Sequence, residues 1–312
     1  MRVLIQADME GVAHITNERQ VLPFWIDYWE TGRAYLTEEV TAAALGLLAG
    51  GVSDVVVDDQ HLGGPSNLLH ERLPETVSLP GPDVIYRQLE ERAFDAVFQL
   101  ARHSRWGTGD GFMSHTQLPY ISLALDGQPF TESHICAWRA GAPVLGITGD
   151  DRLGAQLDGG LAGTPFLAVK RSRGLTKTRP IERARFRSLD AIRDFATACA
   201  NDWRARTVAA LPEHFTLSAH LAPELAEQLD GSHGFRLSGH ATVAKQCAAW
   251  WGDAEPAMQA ATGIVARPFA ATMRALGDIG PERLDDIDGA ALDHARDLYT
   301  SWLHRPETNG DE

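Results

Sequence analysis

Two carboxylates, Asp8 and Glu10, stand two residues apart where the first apolar run of the chain ends, and Gly11 follows at once. The run itself, residues 2–7, reads Arg-Val-Leu-Ile-Gln-Ala and has the character of a short buried strand. Acids that close a buried strand need a neutralising partner, because unpaired buried charge is very costly. A divalent cation is one such partner. His61, His103, His115 and Glu132 lie near the ends of later strand-like runs, and their presence makes a cation the leading reading. Two histidines with three carboxylates suit two hard-to-borderline cations that share a bridging oxygen. Each residue alone also has a plainer role. Asp58 and Asp59 fit a turn cap, His103 a core histidine, and His115 a loop histidine with a structural hydrogen bond.

The elements that must position these side chains are legible as alternating patterns. Strands are expected at 3–8, 55–58, 96–101, 120–125, 143–148 and 165–169, and helices at 30–48, 132–139 and 188–206, with 85–91 ambiguous. Asp150 or Asp151 is placed to cap a helix after the strand at 143–148, and Ser188 to cap the helix that it opens. Alternation of this kind predicts an α/β fold with a mostly parallel sheet flanked by helices. In such sheets ligands bind outside the carboxyl ends of the strands, where Asp8, Glu10, His61, His103 and Glu132 are expected to converge. The pattern changes after Leu211-Pro212. A strand at 214–219, a helix at 223–229, a long strand at 235–246 and a helix at 254–275 predict a smaller C-terminal α+β domain. The expected division is 1–210 for the metal-binding catalytic domain, 211–278 for a small domain suited to oligomerisation, and 279–312 for an acidic helical tail.

Composition narrows the function classes. The chain has 312 residues, 44% hydrophobic and 22% charged, with a formal net charge of −14. An acidic surface argues against nucleic acid or an anionic membrane as the main partner. With a strand expected from residue 2, no signal peptide is expected. The apolar window 40–57 is broken by Gly50-Gly51 and Ser53-Asp54, so it reads as helix, turn and strand and not as a membrane span. Cys136, Cys199 and Cys247 are widely spaced and form no Cys-x-x-Cys pair. A reducing, cytoplasmic setting is expected, and any zinc site would use His and carboxylate ligands.

The segments Asp8-Met9-Glu10-Gly11, Asp59-Gln60-His61, Ala101-Arg102-His103, Met113-Ser114-His115, Thr131-Glu132 and Gly149-Asp150-Asp151-Arg152 occur in an order typical of one family. The chain resembles the zinc-dependent D-aminopeptidases of the dipeptide-transport-operon type, which include self-compartmentalising enzymes. The resemblance runs from residue 1 to about residue 275. It implies that Asp8, Glu10, His61, His103 and Glu132 bind two zinc ions and that His115 is the catalytic residue outside the metal shell. It also implies a homo-oligomer, with a decameric ring as one form. The activity it implies is release of N-terminal, D-configured amino acids from small peptides or amides by metal-activated hydroxide. Two other readings are carried beside it. One is a metal-dependent hydrolase of a non-peptide amide or a phosphoester, although no glycine-rich phosphate cradle is visible. The other is a non-catalytic small-molecule-binding assembly protein.

The chain departs from the family pattern at Gln6, where a small hydroxyl residue is usual, and in a slightly longer loop between His103 and His115 that carries Trp106. The aromatic-rich segment 16–29 and this loop are candidates to line a substrate pocket, or else core and subunit contacts. His134 is read as a helix-surface residue or as a group that tunes the site. Lys170, Arg171, Arg173 and Lys177 are read as a solvated basic loop or an oligomer contact, with substrate carboxylate binding as the alternative.

Overall fold

The computed structural model describes residues 1–63 and 67–267, together with Arg296, Asp297 and Thr300. Apart from those three residues, the tail expected at 279–312 lies outside the described residues, as does the end of the helix expected at 254–275.

Among the described residues twelve strands make two sheets. In chain order the larger sheet takes β1 (Arg2–Ala7), β2 (Asp54–Asp59), β3 (Val77–Ser78) and β4 (Ala96–Arg102). The smaller sheet takes β5 (Ser122–Leu125) and β6 (Gln128–Pro129). The larger sheet resumes with β7 (Val144–Asp150), β8 (Phe166–Ser172) and β9 (Thr178–Pro180), and the smaller with β10 (Phe215–His220), β11 (Arg236–Gly239) and β12 (Thr242–Cys247). The larger sheet has the order β3-β2-β1-β4-β7-β8-β9. Every pairing in it is parallel except that of β8 with β9. This is the expected mostly parallel α/β architecture.

Period-two alternation distributes the large sheet's side chains between two cores. Val3 and Ile5 face α1 (Ile26–Ala49) and α4 (Arg185–Asn201), with Leu36, Val40, Ile192 and Cys199 in the same cluster. Leu4, Val56 and Val97 face the other way, with Ile85 and Leu89 of α2 (Pro82–Glu90) and Ile135 and Trp138 of α3 (Glu132–Ala140). The second core continues into the smaller sheet and into α5 (Pro223–Leu229) and α6 (Glu255–Ala266).

The smaller sheet has the order β11-β12-β10-β5-β6 and is antiparallel throughout. The expected domain boundary near 210 falls between its members, since β5 and β6 precede it and β10 follows. Three local expectations differ from the structure. The strand expected at 235–246 is a hairpin, β11 and β12, turning at residues 240–241. Helix α4 opens at Arg185 with Ala184 before it, and Ser188 lies inside, buried. Asp150 ends β7 and is followed by short 3-10 turns instead of an α-helix.

Candidate metal centre

The switch in strand order lies between β1 and β4, and the crevice at such a switch is where an open α/β sheet binds ligands. Asp8 follows β1, His61 lies two residues after β2, and His103 follows β4. The end of β4 is bent for this purpose. Ala101 adopts φ +59°, and the register with β7 shifts between Gln99 and Arg102. The Ala101 carbonyl then accepts the Gly11 N–H at 2.8 Å, and the Leu100 carbonyl accepts that of Asp8 at 3.0 Å. Gly11 is required here, because a Cβ would overlap the main chain of Ala101 and Arg102.

Glu132 opens α3, where a carboxylate is favoured by the helix dipole. Gln6 of β1 and Gln99 of β4 pin that helix. Their side-chain amides donate to the carbonyls of Cys136 at 3.2 Å and Ser133 at 2.9 Å. Gln6, a departure in the sequence, is thus a strut beneath the helix that carries Glu132. His134 is buried and completes the capping box with Thr131, so it is a structural group and not a surface one.

The histidines share one arrangement. A carbonyl can only accept, so a ring nitrogen bonded to one carries the proton. His61 Nε2 donates to the Val21 carbonyl at 2.6 Å, His103 Nδ1 to that of Ser104 at 2.9 Å, and His115 Nδ1 to that of Met113 at 2.6 Å. Each ring then presents its other nitrogen to carboxylates. His61 Nδ1 lies 3.1 Å from Glu10 Oε2 and 3.5 Å from Asp8 Oδ1. His103 Nε2 lies 3.3 Å from Asp8 Oδ2 and 3.4 Å from Glu132 Oε2. His115 Nε2 lies 3.9 Å from Glu132 Oε1, and its ring stacks on that of His103 at 4.0 Å between centroids. All six side chains nominated from the sequence meet here.

Electrostatics follow from the burial. Burial favours neutral His61 and His103, but the carboxylates of Glu10, Asp8 and Glu132 override it and raise both imidazoles well above their usual range. Burial also favours neutral Asp8 and Glu132. Arg102 and the two histidines hold Asp8 well below its usual value, and His103, His115 and Arg102 hold Glu132 at about 2. His115 is different: burial and the charge of His103 lower it.

The donor set fits a metal. Asp8, Glu10 and His61 offer one ligand atom each within 4.8 Å of one another, and so do His103, His115 and Glu132. Asp8 Oδ2 and His103 Nε2 are buried without a hydrogen-bond partner although they face each other. A ring nitrogen tied to a main-chain carbonyl while its partner stays free is the usual support of a metal-ligating histidine.

Sequence reasoning missed two participants and misplaced a third. Arg102, next to His103, reaches Asp8 and Glu132 from within the core. Gln117 donates to Glu132. Lys170 is not in a solvated loop. It ends a buried stretch of β8, is fully enclosed, and donates from Nζ to the Glu10 carbonyl at 2.7 Å above the Phe112 ring. Arg171, Arg173 and Lys177 are exposed, as expected of that segment. A charged residue inside an apolar strand pattern was the available signal for both Arg102 and Lys170.

A mostly parallel α/β sheet that gathers three carboxylates and three histidines at its switch point defines a candidate metal-binding protein of that architecture. A family model described as D-aminopeptidase matches residues 1–254, and the chain belongs to the D-aminopeptidase family. The D-aminopeptidase of Bacillus subtilis (strain 168) is 28% identical over 179 residues, which cover 55% of this chain and 64% of that relative. The match therefore spans somewhat less than two thirds of the relative's length. Among solved structures, the Zn-dependent D-aminopeptidase DppA from Bacillus subtilis, a self-compartmentalizing protease, superposes with a TM-score of 0.76 at 23% identity. The superposition covers 86% of this chain and 98% of that one, and it shows the shared fold.

Proposed function

We propose that the chain is a zinc-dependent aminopeptidase or amidohydrolase that releases N-terminal, D-configured amino acids from small peptides or amides. The observation that carries this reading is the arrangement of the histidines. Each keeps one nitrogen on a main-chain carbonyl and turns the other toward shared carboxylates, in a chain of the D-aminopeptidase family. Asp8, Glu10, His61, His103 and Glu132 are the proposed ligands of two zinc ions. When bound there, zinc supplies Lewis-acid polarisation of a carbonyl and acidifies water near neutral pH.

The chain's own groups do the rest. His115 is the most accessible of the three histidines, with 16% of its side chain exposed. Its Nδ1–H is committed to the Met113 carbonyl, so its Nε2 is the atom that exchanges protons. Burial and the charge of His103 lower its affinity for a proton. That suits donation to a leaving amine or a hydrogen bond to a developing oxyanion. Asp8 sits between His61 and His103 and ties the two halves of the centre together.

The relative described as self-compartmentalizing motivates a homo-oligomer, a ring of subunits that admits small substrates only. The small domain expected at 211–278 is the proposed contributor to that assembly. Among the described residues no helix is long and apolar enough to cross a membrane. The three buried free cysteines suit a cytoplasmic setting.

The test is hydrolysis of paired D- and L-aminoacyl amides and dipeptides by zinc-loaded protein, with bound metal counted in the same samples. Cleavage of the D series that is absent in His115→Ala supports the reading. Metal-loaded protein that cleaves no member of either series rejects the peptidase assignment.

A further inference from the structure

Arg102 takes no part in the chemistry outlined above, yet its guanidinium lies among the proposed ligands. It is 1% exposed, so no substrate reaches it. Its Nη2 donates to Glu132 Oε2 at 3.2 Å, and its Nη1 lies 3.4 Å from Asp8 Oδ2. These are the two oxygens that His103 Nε2 also approaches. On its other sides Nη1 donates to Gln60 Oε1 at 2.9 Å and Nη2 to Cys136 Sγ at 3.2 Å, which fixes the group in place. Glu10 feels its charge but, unlike Asp8 and Glu132, makes no hydrogen bond or close ion pair with it.

We propose that Arg102 makes the two halves of the centre unequal, so that one divalent ion binds tightly at Asp8, Glu10 and His61 and a second binds weakly at His103 and Glu132. The inference rests on the metal-centre reading given above. Asp8, Glu10 and Glu132 bring three negative charges, and Arg102 cancels one of them permanently, since a guanidinium keeps its proton in proteins. A first divalent ion neutralises the remainder. A second ion enters a buried site that is already neutral and has a fixed cation against two of its oxygens. At these separations, away from bulk water, that charge weighs heavily. Arg102 is thus a positioning residue with two effects. It holds Asp8 and Glu132 together before any metal arrives, and it opposes the last ion to arrive.

The experiment is a zinc titration of the metal-stripped full chain by calorimetry, with bound metal counted independently, on wild type, Arg102→Gln and Arg102→Lys. Wild type is expected to fill in two resolved steps. Arg102→Gln should tighten the weaker step on the order of tenfold or more and lower the Tm of the metal-free protein more than that of the loaded protein. Arg102→Lys keeps the charge and should keep the steps apart. Two steps of equal affinity in wild type overturn the proposal while leaving the metal centre intact, and need no variant that must fold. A weaker step unmoved in folded Arg102→Gln overturns it as well. A wild-type chain that takes up no zinc rejects both this proposal and the metal-centre reading.

Discussion

Gln117 holds Glu132 from two directions: its main-chain N–H donates to Oε1 at 2.6 Å and its side-chain amide to the same oxygen at 3.2 Å. The main-chain bond is set by a left-handed backbone, φ +64°, on the loop that also carries His115. The side chain is steadied from behind, because its Oε1 accepts from Arg139 at 3.4 Å, and Arg139 is paired with Glu255 at the start of α6. Gln117→Ala keeps the main-chain bond and loses the other. A hydrogen bond to a charged carboxylate is worth about 1.5–3 kcal/mol, so kcat/KM should fall by roughly ten- to a hundredfold. Steady-state kinetics and zinc affinity measured together check this, and an unchanged kcat/KM would show that the Gln117 side chain does not support Glu132.

His115 and Asp8 separate turnover from metal binding. Asp8 faces His61 with one oxygen and His103 with the other, whereas His115 touches the centre only through Glu132 at 3.9 Å and by stacking on His103. His115→Ala should therefore retain bound zinc and lose turnover by a factor on the order of 10²–10⁴. Asp8→Ala should lose both. Metal counting on purified variants beside hydrolysis rates decides. If His115→Ala loses one ion, His115 is a ligand of the half formed with His103 and Glu132. If it keeps its activity, it leaves the mechanism.

Glu39 gives stability a pH dependence. It is enclosed in α1, accepts the Ala13 N–H with one oxygen at 2.7 Å, and leaves the other without a partner. Burial raises its carboxyl from 4.5 to about 8. A folded value above the unfolded one means that the native state binds the extra proton. The stabilisation is full below about 4.5 and is lost as pH rises to about 8. Glu39→Gln removes that titration. Its Tm should fall less than that of wild type between pH 5 and pH 8.5, measured by thermal unfolding across that range. Parallel curves for the two proteins would show that Glu39 ionises normally.

Much of the centre was legible because the sequence periodicities that mark β1, β2 and β4 also mark their carboxyl ends. Asp8, His61 and His103 could be placed at one edge of a sheet from those runs alone. Glu132 came with a helix start. Other features depend on distant partners. Nothing local to residues 122–125 announces that β5 pairs with β10 across about ninety residues. Helix α2 was ambiguous because only Ile85 and Leu89 of its nine residues are buried. Ser188 resembled a helix cap, yet its hydroxyl lies 3.2 Å from His14 Nε2 inside a helix that begins three residues earlier. Lys170 misled for a related reason. Four of the basic residues beside it are exposed, and only the topology shows that β8 carries this one over the buried ring of Phe112.

Lys170 accordingly supports the last prediction. Burial lowers its ammonium to about 7 despite Asp150 and Glu39 nearby, so near neutral pH the group acts chiefly as a buried hydrogen-bond donor to the Glu10 carbonyl. Lys170→Met matches its length and apolar stem but leaves that carbonyl without its donor. An unsatisfied buried polar group costs about 1–3 kcal/mol, and the loss falls on the main chain that fixes Glu10. Lys170→Met should lower Tm and weaken zinc binding, and Glu10→Ala, which removes the ligand itself, should weaken it further. The binding effect separates a site-supporting lysine from a purely structural one. A variant with reduced Tm and unchanged zinc affinity would assign Lys170 to the core alone.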